Sequence, residues 1–235
     1  MKTCPFEVNI YHLIEGAKQA DGLAVIIDVF RAFSLECYLY DMGAAAIRPV
    51  GSVEEAFRLR NSIENSILVG ERGGEKCDGF EFGNSPSSIK PQDVAGKTVI
   101  HTTSAGTQGI VNAVHADKIL TGSLVNAKAI AAYIKKMQPQ KVSLVCMGNG
   151  GVTPAAEDEL CAEYIKYLLE GGPDFDIESK VQGLKTHGGE QFFRKSSQHI
   201  FPEEDFYMCT KYDRFSFVIE VEKDEDGFFT RKIPV

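Results

Sequence analysis

Short apolar runs alternate with segments of helical spacing along most of this chain, and that rhythm limits the fold more than any other feature. The runs at 25–28, 45–50, 67–71, 98–103, 118–121 and 142–146 are too short for helices. They have the near-continuous hydrophobicity of strands covered on both faces. Helical spacing begins at Arg31, Val53 and Gly106 and recurs over 126–137 and 155–169. Strand and helix in alternation predict an α/β fold: a mostly parallel sheet flanked by helices.

The texture changes after Gly171-Gly172-Pro173. An aromatic, basic patch over 191–199 has the spacing of a helix with a core-facing side. Two alternating runs, 215–221 and 228–233, flank an Asp226-Gly227 turn signal and predict a C-terminal β-hairpin. No linker is legible, so the chain is expected as one unit over 1–235. The alternative is two α/β lobes with a site between them, their boundary unreadable.

A net charge of −8, with no run of Lys or Arg, lacks the basic footprint of a nucleic-acid binder. No apolar stretch approaches a membrane span, and residues 1–10 lack a leader pattern, which predicts a cytoplasmic protein. The six cysteines form no CxxC pair and no zinc spacing. They are expected as reduced thiols, with Cys37 and Cys161 packing as small hydrophobes.

Function is expected where the strands end, because open α/β sheets bind ligands at the carboxyl ends of their strands. Asp28 closes the first run, and Arg31 opens the next helix. An ionised Asp there needs a cation and the arginine an anion, which a phosphate bridged by a divalent metal would satisfy together. Four further loops carry similar chemistry. They are Gly70-Glu71-Arg72-Gly73-Gly74, Phe82-Gly83-Asn84-Ser85-Pro86, Thr102-Thr103-Ser104-Ala105-Gly106-Thr107, and Cys146-Met147-Gly148-Asn149-Gly150-Gly151 with Glu157-Asp158 beyond it. The third runs into a helix start whose free N–H groups suit phosphate. His101 and His115 read as sheet and helix residues.

Several familiar motifs fail on inspection. Gly96-Lys97-Thr98 has Pro91 where a P-loop needs its first glycine, and it precedes its strand. Gly148-Asn149-Gly150 has Thr153 in place of the third glycine of a dinucleotide fingerprint. Asp28-Val29-Phe30 lacks the second aspartate of a DxD phosphatase, and Val152 stands where a Cys-x5-Arg cradle beginning at Cys146 would need arginine.

Taken together, Ile27-Asp28-Val29-Phe30-Arg31-Ala32 and the loops at 70–74, 82–86 and 102–107 resemble the 2-phosphosulfolactate phosphatase family. So do Gly122-Ser123-Leu124-Val125-Asn126-Ala127, Cys146-Met147-Gly148 with Glu157-Asp158, and Lys211-Tyr212-Asp213-Arg214-Phe215. The blocks keep their order and cover nearly the whole chain. Phe33-Ser34 and Ser104-Ala105 depart from the Thr-rich and Asn-Gly pairs of many relatives, which bears on substrate preference. The resemblance implies a magnesium-dependent phosphoric monoester hydrolase that converts 2-phospho-3-sulfolactate to 3-sulfolactate and phosphate, a step of coenzyme M biosynthesis.

For such a reaction the expected Mg²⁺ ligands are Asp28, Glu71, Glu157 and Asp158, directly or through water. Arg31 and Arg72 are expected to grip anionic oxygens. Asn84, Ser85, Thr103, Ser104, Gly106, Thr107 and Gly148 are expected to bind the small anionic substrate. Ser104 and Cys146 are the candidate nucleophiles, with direct attack by water the alternative. A phosphatase for another small phospho-acid and a non-catalytic anion binder remain open alternatives. A homodimer is the base-rate expectation for assembly.

Overall fold

The computed structural model describes residues 6–235. In chain order come β1 (Glu7–His12), α1 (Leu13–Gln19), β2 (Gly22–Ile27), α2 (Ala32–Asp41), β3 (Ala46–Pro49), α3 (Val53–Ser62), β4 (Ser66–Arg72) and β5 (Glu75–Lys76). Next are α4 (Pro91–Val94), β6 (Thr98–Thr102), α5 (Gly106–Asn112), β7 (Ala116–Gly122), α6 (Ala127–Met137), β8 (Lys141–Cys146) and α7 (Ala156–Glu170). Finally come α8 (Ile177–Gly183), α9 (Glu203–Cys209), β9 (Phe217–Asp224) and β10 (Gly227–Pro234).

The strands form one sheet in the order β1-β8-β2-β7-β9-β10-β3-β6-β4-β5. Within it, β1, β8, β2 and β7 run parallel, and so do β3, β6 and β4. The expected α/β class, with helices on a mostly parallel sheet and a C-terminal hairpin, is what the chain adopts. The place of the hairpin was not foreseen: β9 pairs antiparallel with β7 and β10 with β3, so the hairpin fills the middle of the sheet. There it closes the inner edges of both parallel blocks, whose backbone groups would otherwise lack partners.

Strand alternation explains why each block is covered on two faces. In β2, Leu23, Val25 and Ile27 pack in one cluster with α6 and α7, while Ala24 and Ile26 pack in another with Ala17 of α1 and Ile110 of α5. The second block repeats the pattern: Leu68 and Ile100 face Leu59 of α3, whereas Ile67, Val69 and Val99 face Leu35 and Leu39 of α2. Helix α2 is buried at every position from Ala32 to Tyr40, as expected of a helix apolar on nearly all sides.

Each antiparallel pairing reverses direction, so the two blocks run in opposite senses along the sheet. At roughly 20–25° of twist per strand, the five steps from β2 to β6 turn the second block by about 100–125°. The carboxyl ends of both blocks are thereby brought round to one cleft.

The patch over 191–199 is a correction. It forms two short 3-10 turns, Glu190–Phe193 and Lys195–Ser197, in place of a helix. Tertiary packing outweighs its helical spacing: Phe192 is fully buried, with its ring 4.8 Å from that of Phe30 and 5.6 Å from that of Phe201. Cys37, Cys77, Cys146, Cys161 and Cys209 are all buried free thiols, whereas Cys4 and the rest of the first five residues read for a leader lie outside the described residues. No helix among the described residues is long and apolar enough to cross a membrane.

Candidate active site

Asp28 sits immediately after β2 at the floor of a cavity of about 250 Å³. Its Oδ1 accepts from the Ala32 amide at 3.2 Å, and its own N–H donates to Gly122 of the neighbouring strand. Helix α5 starts hard against it: a Cβ on Gly106 would lie 2.8 Å from Asp28 Oδ2, so only glycine fits there. Burial raises the Asp28 carboxyl to about 6, with the nearby Glu71 charge adding to the rise and the amides of Ala32 and Gly106 opposing it.

Two more acids come from the first turn of α7. Burial, and then the charges of Asp28 and Glu190, raise Glu157 to about 8. Its Oε2 is buried without a hydrogen-bond partner. Asp158 is likewise pushed well above the usual carboxylate range, by burial first and then by Asp28 and Glu157. Its two oxygens are committed, however: Oδ1 accepts from Val29 N and Oδ2 from Gly148 N, each at 2.8 Å. Asp158 thereby ties the loop after β2 to the loop after β8. Gly148 holds a positive φ of 64°, and a Cβ there would meet the Thr153 carbonyl oxygen at 2.2 Å.

The opposite wall comes from β4 and β6. Glu71 Oε1 accepts from Ser104 N at 2.6 Å, and Oε2 accepts from Gly74 N at 2.6 Å and from the Ser104 hydroxyl at 3.2 Å. Ser104 Oγ in turn accepts from Gly73 N. The glutamate clamps two Gly-rich loops together and leaves Ser104 facing the cavity.

Arg31 is the one cationic side chain in the lining of this cavity. Its guanidinium is already engaged: Nη1 donates to Asp205 and to the Ile200 carbonyl at 2.8 Å each, Nη2 to the Gly74 carbonyl at 3.3 Å, and Phe201 stacks at 4.8 Å. Asp205 also accepts from Ser85 Oγ and Ser87 N, which fixes the 82–86 loop against α9. Asn84 lines the cavity beside Arg31, with its Oδ1 3.2 Å from His101 Nε2. The other ring nitrogen lies 2.9 Å from Glu36, which is fully buried in α2.

The predicted residues therefore divide. Asp28, Arg31, Glu71, Asn84, Ser104 and Gly148 share the cavity. Outside the lining, Gly106 packs against Asp28, Asp158 holds the next amide, Val29 N, and Glu157 lies near enough for the Asp28 charge to raise its carboxyl. Arg72 is not brought in: β4 alternation turns it away from Glu71, and its guanidinium bonds the Glu71 carbonyl and Thr102 Oγ1. Thr103 and Thr107 are buried and bond each other, and Ser85 faces an adjoining cavity of about 620 Å³ that shares Arg31, Gly74 and Asn84. Cys146 is 1% exposed and outside the lining, and burial pushes its thiol up, the reverse of an activated nucleophile.

Asp205, Glu36 and His101 escaped the sequence reading as functional residues. Glu36 did leave a signal, as the lone acid in the apolar stretch Ala32-Phe33-Ser34-Leu35-Glu36-Cys37-Tyr38-Leu39-Tyr40, where a buried charge requires a partner. Asp205 left none, lying in an ordinary acidic helix start, Glu203-Glu204-Asp205.

The donor set suits a hard divalent ion. Mg²⁺ binds through one or two carboxylates and keeps several waters. Asp28 in the cavity and the unpartnered Glu157 Oε2 beside it match that requirement. Asp158 and Glu71 have their oxygens on protein donors and act as supports. An anion could not approach this group of acids unaided, because the one arginine in the lining is already neutralised by Asp205.

An acid-lined cleft at the carboxyl ends of parallel strands, closed by Gly-rich loops, is where α/β proteins of this class bind small ligands. The family model described as 2-phosphosulpholactate phosphatase matches residues 8–224. A protein of Caldicellulosiruptor saccharolyticus named "Probable 2-phosphosulfolactate phosphatase" is 40% identical over 216 residues, covering 85% of this chain and 89% of its own length. Proteins of the same name from Bacillus subtilis and Thermotoga petrophila are 31% and 36% identical, over 85% and 83% of this chain and 87% of each relative. The chain belongs to the 2-phosphosulfolactate phosphatase family.

Proposed function

We propose that this protein is a Mg²⁺-dependent phosphoric monoester hydrolase acting on 2-phospho-3-sulfolactate, releasing 3-sulfolactate and phosphate. The observation that carries the reading is the buried pair Asp28 and Glu157. The Asp28 charge raises the Glu157 carboxyl, Glu157 Oε2 has no partner, and Asp28 lines a cavity whose one lining arginine is already paired with Asp205. A bound divalent ion would offset charge on the phosphoryl oxygens and on the leaving alkoxide.

The chain's own groups do the rest. Asp28 and Glu157 would hold the ion. Asp158 fixes the Val29 and Gly148 amides, and Glu71 fixes those of Gly74 and Ser104, so that neither loop must reorganise when charge develops. Asn84, aligned by His101, and the N–H groups of Arg31 left over from its internal bonds orient substrate oxygens. The adjoining 620 Å³ cavity leaves room for the carboxylate and sulfonate ends. Water is favoured as the attacking group: Cys146 is out of reach, and Ser104 Oγ is held between Glu71 Oε2 and Gly73 N, with a lone pair taken up by the backbone amide.

Phosphate release measured with and without Mg²⁺ over phosphosulfolactate, phospholactate and unrelated monoesters tests the reading. Metal-dependent turnover with the highest kcat/KM on phosphosulfolactate is expected. Preference for a sulfonate-free acid would overturn the substrate, and turnover insensitive to chelation would overturn the metal.

A further inference from the structure

Behind the cleft, His12, Cys146 and Glu159 form a second cluster that the phosphatase reading does not use. His12 ends β1 and Cys146 ends β8, directly opposite each other in the parallel register, so both side chains emerge on the same face. Glu159 comes down from the first turn of α7. Its Oε1 lies 2.8 Å from His12 Nδ1. The imidazole nitrogen, the sulfur and a carboxylate oxygen all lie within 4.8 Å of one another. Among the described residues no other trio of His, Cys, Asp or Glu meets that spacing.

We propose that His12, Cys146 and Glu159 form a thiophilic metal site of the Zn²⁺ class, set back to back with the carboxylate cleft across the first turn of α7. Tetrahedral Zn²⁺ takes S, N and O ligands at about 2.0–2.3 Å, which places ligand atoms roughly 3.3–3.7 Å apart. His12 and Glu159 are already closer than that, and the sulfur needs to close by about 1.5 Å at most. The half-exposed His12 and the one-third-exposed Glu159 leave an entry path, and solvent supplies the fourth ligand. Binding replaces the S–H proton with the ion. The sulfur lone pair forms the new bond, the proton leaves to solvent, and no oxidation state changes.

The donor chemistry separates the two sites. Asp28 and Glu157 offer hard oxygens suited to Mg²⁺, whereas an imidazole and a thiolate favour softer ions. Asp158 stands between them: its carboxylate serves the cleft loops, and its carbonyl oxygen accepts from the Cys146 thiol at 3.5 Å. An ion at Cys146 would therefore bear on the 147–151 loop, three of whose residues line the cleft.

The test is titration of the full-length protein with Co²⁺ in saturating Mg²⁺, which keeps the carboxylate cleft filled. One equivalent is expected to give a thiolate-to-cobalt charge-transfer band and the visible bands of a four-coordinate ion. Cys146→Ser should abolish the charge-transfer band, and His12→Ala, a substitution at a half-exposed side chain that leaves the fold in place, should weaken binding by about tenfold or more. Absence of the thiolate band in the unmodified protein, or undiminished affinity in His12→Ala, overturns the site. Neither readout depends on turnover, so failure of the phosphatase reading would leave this result intact.

Discussion

On the cleft wall carried by β4 and β6, Glu71 has both oxygens on protein donors; on the wall carried by β2 and α7, Glu157 keeps an oxygen with no partner beside a second buried acid. Similar residues in similar strand-end loops thus do opposite work. The first wall is complete as folded and holds its loops rigid. The second stores electrostatic repulsion, which a proton relieves at low pH and a bound cation would relieve at higher pH. Asp158 shows that position on a wall does not decide the role: with both oxygens on amides, it acts as a clamp on the strained side.

The largest effect should come from the strained wall. Asp28→Asn is expected to lower Mg²⁺-dependent turnover by at least about 10²-fold, because one of two ion-holding carboxylates is lost. Because the substitution also removes a buried charge beside Glu157, the melting temperature in chelator should hold or rise. A normal kcat would sink the assignment of Asp28 to the metal.

Glu71→Gln tests the clamp. One amide group must then face a backbone N–H, either of Gly74 or of Ser104, and a bond that was charge-assisted becomes a clash of donors. A loss of stability of about 1–3 kcal/mol is expected in denaturant titrations, together with a smaller drop in turnover than for Asp28→Asn. If Glu71→Gln instead left stability unchanged and abolished Mg²⁺ binding, the two walls would have to exchange roles.

The pH dependence of stability follows from the raised carboxyls. Asp28 stands at about 6 and Glu157 at about 8 in the folded chain, against ordinary values of 3.8 and 4.5. Across that window the folded chain binds more protons than the unfolded one, so stability present below about pH 4 is lost as pH rises toward 8. Thermal melts in chelator should fall from pH 5 to pH 8, and the gain on adding Mg²⁺ should be greater at pH 8. An Mg²⁺ gain that is equal at both values would show that the ion does not sit on these two acids.

The smallest effect is expected at Arg72. It points away from the cleft, so Arg72→Ala should leave KM near that of the unmodified enzyme and cost only a modest loss of stability through its bonds to Glu71 O and Thr102. A large rise in KM would return Arg72 to the substrate.

Much of the cleft was legible because strand ends in an α/β chain collect ligands wherever the strands come from. Asp28, Asn84, Ser104 and Gly148 were found that way, and the structure brings them together. Arg31 and Arg72 looked alike as sequence, each a guanidinium in a strand-end loop. The outcome for each depended on contacts far along the chain: Asp205 and Ile200 for Arg31, and the face of β4 for Arg72. The His101–Glu36 contact was visible only as one acid in an apolar helix, because its partner lies 65 residues away.

Local pattern alone was enough to determine the α/β class, the hairpin and the loops that carry chemistry, since periodicity and turn residues act over a few positions. The tertiary structure decided that the hairpin fills the middle of the sheet, that two oppositely running blocks deliver their loops to one cleft, and which acids are satisfied. Those outcomes depend on pairings between β10 and β3, on Asp205 with Arg31, and on Gly188 packed against Glu157. Hydrogen bonds and burial between distant segments set each carboxylate's charge and partner, and no local stretch of residues carries that information.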